Sequence, residues 1–238
     1  MNTASDTGMF QRYRRPFMAG LALLALGLMV IAFMTLVSSI YASQSRMFLD
    51  DWGKKGELPS EKAWNVAAQA AERAVSFSVT GQQGEYLDRL GRVHEWRHVA
   101  LPFGAEAASE SRLKALDAYR ASVEVRPLWP YTWVQLAFIK LRLLQFDSEF
   151  HAALQRADEL GPTRLRVQAP LAEISFIAWP QLDQQQRQAA WQAFEFTMRQ
   201  DGRRAGRLKG LIDQARLTEE MCGAVDPELT SGRKWCVQ

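Results

Sequence analysis

The sequence predicts an all-α protein with an N-terminal transmembrane helix followed by a helical-repeat domain. Residues Phe17 to Tyr41 form a run of 25 residues without a charge. Beyond residue 60, apolar side chains recur at three- and four-residue spacing, and no stretch keeps the strict alternation of a strand. The periodic segments are short and several are closed by Pro or Gly, as in stacked helices joined by tight turns.

The apolar run is the first element. At about 1.5 Å of rise per residue it is long enough to cross a hydrocarbon core of about 30 Å. A cleaved secretory signal would have a shorter apolar core, about 7–15 residues, and a small-x-small cleavage site. A cut after Ala42 would put Ile40 where a small residue belongs, so the helix is expected to remain as an anchor. Arg12, Arg14 and Arg15 directly precede it, whereas Arg46, Lys54 and Lys55 lie farther beyond it, which favours a cytoplasmic N-terminus. Residues 1–16 are then a cytoplasmic tail, 17–41 the span, and 42–59 a juxtamembrane linker marked by Asp50, Asp51, Gly53, Gly56 and Pro59.

Residues 60–217 read as the helical domain. Ser60 is an expected N-cap for a helix to about Phe77, with Trp64, Ala67, Ala71 and Ala74 on one stripe. Gly81 and Gly84 mark a turn, and the next helix carries Leu87, Leu90, Gly91 and His94. Residues 100–110, with Pro102 and Gly104, read as a loop. A helix over 111–125 places Ala115, Tyr119 and Ser122 together and stops at Arg126-Pro127, because the residue before a proline leaves the helical region. Helices over 130–144 and 148–160 follow, the second closed by Gly161-Pro162. Three more are expected over 165–178, 183–200 and 202–217, with Pro170 either kinking the first or marking its true start.

Residues 218–238 form a tail holding the only two cysteines, Cys222 and Cys236. Among Gly, Pro and Asp they suit a stapling disulfide in an oxidising compartment, the alternative being two unpaired thiols. Without a nearby His they cannot complete a tetrahedral metal site.

The helices repeat. Ala115, Tyr119, Ser122 and Pro127 have the spacing of the second helix of a tetratricopeptide repeat. Trp133, Leu136 and Ala137 match the first helix of the next, and Phe150, Leu154, Ala157 and Pro162 its second. Phe150 stands where a small residue is usual, and the repeat holding Leu87, Leu90 and Gly91 carries a longer loop, so the domain is tetratricopeptide-like and not a regular array. The segment from Glu85 to Arg97, the segment from Arg126 to Trp133, Phe146 to Phe150, and Gly161-Pro162 resemble proteins of the VpsP type. The resemblance covers roughly residues 60–217. It implies a bacterial inner-membrane, single-pass protein with a periplasmic helical domain, working beside an exopolysaccharide polymerase, ligase or export protein. It supplies no catalytic residues.

Composition narrows the function classes. The 29 Lys and Arg residues are intermixed with 26 Asp and Glu, a net charge of +3, which is not the footprint of a nucleic-acid partner. His94-Glu95-Trp96-Arg97-His98 spells H-E-x-x-H, whose histidines at i and i+4 could bind zinc beside a glutamate base. Arg97 sits between the two ligands, Gly104 occupies the third-ligand position, and Glu106 and Glu110 lie in or beside a loop. His94 also falls where the repeat wants a core aromatic. No nucleophile elbow or phosphate loop is present, so neither enzyme activity, metal nor cofactor is expected.

The pairs Asp50-Asp51 and Glu219-Glu220 read as solvated surface. The expected binding residues are Arg126, Trp129, Tyr131 and Lys140, with Glu95, Trp96 and Arg97. Arg199, Arg203, Arg204, Arg207 and Lys209 form a basic cluster that is either a solvated face or a contact for anionic lipid or polymer. The function expected is a membrane-anchored periplasmic scaffold for exopolysaccharide machinery. The alternatives are a carbohydrate-binding module that touches the polymer and, third, a zinc metalloprotease.

Overall fold

The computed structural model describes residues 6–79 and 83–236, with side chains from Pro16 onward in the first helix. Helix α1 (Asp6–Lys55) is continuous over 50 residues. Its apolar stretch is exposed from Pro16 to Phe33, long and apolar enough to cross a membrane. Below that stretch one side of α1 is buried, at Ser38, Ala42, Ser45, Leu49 and Trp52. The alternating four- and three-residue steps are those of a helix packed along a seam.

The expected linker 42–59 is therefore corrected: only Gly56–Ser60 connects α1 to the next helix. Asp50 and Asp51 looked like linker residues because they are the solvated side of the helix, pairing with Arg46 and Lys55 at i,i+4. The expected span 17–41 is shortened by the same packing, since the Ser38 hydroxyl donates to the Ala74 carbonyl (2.6 Å) inside the domain.

Helices α2 (Glu61–Ser76), α3 (Gln83–Trp96), α4 (Ser109–Val125), α5 (Pro130–Arg142), α6 (Ser148–Leu160), α7 (Leu165–Ile177), α8 (Gln184–Gln200) and α9 (Gly202–Gln214) follow as antiparallel neighbours. Local chemistry explains their ends. Ser60 caps α2 by accepting the Ala63 N–H (3.2 Å), and Asp147 caps α6 through the Glu149 and Phe150 N–H groups (both 3.1 Å). Asp183 and Gln186 form a capping box on α8, and Pro130 opens α5 at its first turn. Pro170 lies inside α7, which begins at Leu165. Gly84 belongs to the first turn of α3, while Gly81 lies outside the described residues.

Four hairpins, α1/α2, α3/α4, α5/α6 and α7/α8, stack side by side. Helices also meet one position further on, α1 with α3, α5 with α7, and α7 with α9. Ala115, Tyr119 and Ser122 of α4, and Phe150, Leu154 and Ala157 of α6, are buried. Gly91 of α3 lies where a Cβ would stand 2.6 Å from the Tyr119 ring, which is how close these two helices pack.

The long connection 97–108 is fastened down. The Gly104 N–H donates to the Arg142 carbonyl (2.9 Å), and the buried Arg112 guanidinium bridges the carbonyls of Arg142 (2.9 Å) and Leu101 (2.8 Å).

The expected tail 218–238 carries the expected disulfide, and it also holds two short helices that the sequence reading did not place. Helices α10 (Thr218–Ala224) and α11 (Pro227–Ser231) pack on α8 and α9, burying Met221 and Val225. Cys222 and Cys236 are joined with Cα atoms 5.7 Å apart, and Trp235 stacks on Phe194 at 6.1 Å between ring centroids. Few apolar residues were needed, because each is placed directly over an existing helix pair.

Candidate functional site

The H-E-x-x-H residues diverge. His94 is buried against Trp64 of α2, with ring centroids 5.9 Å apart, and its Nδ1 has no hydrogen-bond partner. Burial, with Lys114 and Arg97 nearby, pushes its pKa down to about 4, so the ring is neutral. His98 turns the other way, to the Ser111 hydroxyl (3.0 Å). Glu95 faces α4, where its carboxylate accepts from the Tyr119 hydroxyl. Among the described residues no group of three or more His, Cys, Asp or Glu could hold a metal ion.

The other residues of this motif are partly committed. Trp96 packs against Trp52 of α1 (5.9 Å), and the exposed Arg97 lays its guanidinium over Trp64 (4.4 Å).

Lys140 is corrected most sharply. It was grouped with Arg126 and Trp129 as a binding cation, yet it is fully buried. Its ammonium donates to Asp147 (2.9 Å) and Glu149 (2.6 Å), and Arg120 adds a bidentate pair to Glu149 (2.8 and 2.7 Å). This cluster locks the α5–α6 turn. Hydrogen bonds from Arg120 and Lys140 hold the Glu149 carboxyl below its usual range despite burial.

Arg126, Trp129 and Tyr131 do come together at the α4–α5 turn. The Arg126 guanidinium lies 4.4 Å from the Trp129 ring centroid, and the Trp129 and Tyr131 rings are 5.1 Å apart. The aliphatic stem of Arg126 covers Gly84 at the start of α3, where a Cβ would stand 2.4 Å from it. Arg164, from the next turn on this end, lies over Tyr131 at 5.9 Å. Trp133 turns back instead, its indole donating to the Pro127 carbonyl (2.8 Å). One ring face each of Trp129 and Tyr131 is therefore already occupied by a guanidinium.

A charged stripe along the inner helices had no sequence signal. Glu95 of α3 stands 3.8 Å from Arg142 of α5, and Glu173 of α7 feels both Arg142 and Arg207 of α9. Burial raises the pKa of both Glu95 and Glu173, and these cations partly offset it. Asp88, half-buried beside this stripe, accepts from the Thr132 hydroxyl (2.9 Å), and desolvation raises its pKa too.

The stripe ends at a groove of about 340 Å³ between α7 and α9, lined by Ala169, Pro170, Glu173, Arg204, Arg207 and Leu208. Arg204 and Arg207, two of the expected basic cluster, face this groove. Arg204 also pairs with Asp201 (3.2 Å), as Arg199 does with Asp226 (3.0 Å) and Lys209 with Asp213 (2.5 Å). Comparison with known proteins finds no family model that matches the chain and no match among curated proteins.

Proposed function

We propose that this chain is a non-catalytic scaffold, mounted rigidly on a membrane, that holds a membrane partner of exopolysaccharide assembly or export on its inner face. One observation carries the reading: α1 passes without interruption from its exposed apolar stretch into the core of the domain. An enzyme acting on a soluble substrate gains little from a stiff mount, since a flexible linker anchors it equally well. A stiff mount fixes the height and orientation of the Glu95–Arg142–Glu173–Arg207 stripe relative to the membrane. That matters to a partner that is itself in the membrane. The charged residues on this stripe supply directional contacts that set the partner's register.

The bacterial inner membrane and the polysaccharide setting follow from the resemblance of residues 60–217. The periplasmic side is supported by Arg12, Arg14 and Arg15 before the span and by the Cys222–Cys236 disulfide, which suits an oxidising compartment.

The test is site-specific photo-crosslinking in native membranes. Crosslinkers at Glu173 and Arg207 should capture a multi-pass protein, while one at Gln188 on the outer side should not. Equal capture from both sides, or none from the inner positions, would overturn the scaffold reading. A periplasm-only reporter fused after Gln238 should be active, and one active only in the cytoplasm would reverse the orientation.

A further inference from the structure

We propose that the α4–α5 turn, with the end of α2, is a second membrane contact: a foot that seats in the lipid headgroup layer beside the spanning helix. This rests on the reading of α1 as a membrane span. The register of the helices sets the height of the foot. From Pro16 to Thr35 is about 30 Å of helix, one hydrocarbon thickness, which puts the bilayer face just above Ser38.

Arg89 of α3 donates to the Ala42 carbonyl (2.6 Å), so Asp88 lies near the level of Ala42. Asp88 in turn takes Thr132 of α5 (2.9 Å), and the Ser122 hydroxyl of α4 donates to Gly84 (2.7 Å) at the top of α3. Thr132 lies in the first turn of α5, which opens at Pro130, so the turn that holds Leu128 sits just above Thr132, close to the height of Ser38 and the bilayer face.

The side chains at that height have the composition of an interface. Leu128 is 72% exposed, and Val125, Trp129 and Val79 are exposed beside it or on the neighbouring turn. Under the span itself, Tyr41 stacks on Phe77 (6.3 Å), and the exposed Arg73 lies over Tyr41 (5.3 Å). The Arg126–Trp129 pair repeats that arrangement on the next hairpin. Aromatic rings whose cations reach outward, with aliphatic residues between them, are what settles at headgroup depth. Exposed acids also stand at this end, Glu85, neutralised by its pair with Arg89 (2.6 Å), and Glu124 in the last turn of α4, so the cations Arg73 and Arg126 face the lipid beside them. A sugar ligand would need free ring faces, and a polar polymer has no use for Leu128.

The disulfide leaves no free native thiol, so an introduced cysteine is the one reactive group in unreduced protein. The full chain carrying Leu128→Cys, Met29→Cys or Leu113→Cys is labelled with an environment-sensitive dye. It is then reconstituted in phosphatidylcholine–phosphatidylglycerol vesicles holding lipids spin-labelled at the headgroup or deep in the chain. All three positions are exposed, so the label disturbs no packing. The deep quencher should act on position 29, and the headgroup quencher should act severalfold more on position 128 than on 113, which is over two turns farther down α4.

Quenching at 29 with 128 no different from 113 overturns the foot and leaves the span intact. No quenching at 29 removes the span, and the foot with it. A dye at 128 that answers purified polysaccharide and not the lipid quencher overturns the foot in favour of a carbohydrate site.

Discussion

Two glycines, one in α9 and one in α3, show how close packing sets the sign of a substitution. Alanine normally improves a helix over glycine by about 1 kcal/mol. At Gly206 of α9 nothing lies within 4 Å of an added Cβ, and Gly206→Ala should stabilise by up to about that amount. At Gly91 the added Cβ would meet the Tyr119 ring at 2.6 Å, and Tyr119 is buried and tied to Glu95. Gly91→Ala should therefore lower stability by about 1–3 kcal/mol, read from denaturant midpoints.

His94 makes a pH prediction. Its folded pKa of about 4 lies below the ordinary 6.5, so the unfolded chain binds the proton more readily. The stability it carries is complete above about pH 6.5 and is lost as pH falls toward 4, by at most about 3 kcal/mol. His94→Phe should keep the midpoint at neutral pH and lose less than the wild type at pH about 4.5. Parallel acid losses in the two proteins would mean His94 is not the buried neutral group described here.

At the scale of elements, the helix ends were largely legible because their signals are local. Ser60, Pro127, Pro130 and Gly161 each act on the backbone within a few residues, and the helices they bound stand where those residues require. The two elements misread, the lower half of α1 and the pair α10–α11, bury small or sparse side chains whose worth depends on what lies opposite. Ser38, Ala42 and Ser45 do not look like core until Ala67, Ala71 and Ala74 of α2 allow the helices to approach.

The C-terminal pair gives the element-scale prediction. The disulfide closes a separation of 14 residues, worth about 3 kcal/mol in the chain-entropy model. Cys222→Ser with Cys236→Ser should lower the thermal midpoint accordingly and expose the segment after Arg216 to protease. Thiol labelling of unreduced, unfolded wild type should find no free cysteine. Labelling of both before reduction would remove the staple and one support for an oxidising compartment.

At the scale of the whole molecule, the domain begins inside the first helix and not at Ser60. Leu49 and Trp52 cover Trp64 and Val93, and Ala42 covers Ala74 and Tyr86. Fully burying a large apolar side chain is worth about 1.5–3 kcal/mol, and a domain's net stability is only about 5–15. A chain beginning at Ser60 should aggregate or unfold without a cooperative transition. A chain beginning at Thr35 should unfold cooperatively, and circular dichroism melts of the two decide the boundary. If the shorter chain melts as cooperatively as the longer one, α1 adds no core.

The sequence by itself determined the all-α class, the apolar span and most helix boundaries, because helix capping, proline stops and apolar period are short-range effects. Only the tertiary structure decided the fate of the charged residues. Lys140 could be an exposed cation or a buried clamp until α6 delivered Asp147 and Glu149 to it. Glu95 lost its place in a zinc motif to Tyr119, 24 residues away, and Ser38 left the span for a carbonyl 36 residues on. A charge or hydroxyl takes its role from the partner that shields it from water, and that partner arrives only when distant helices pack.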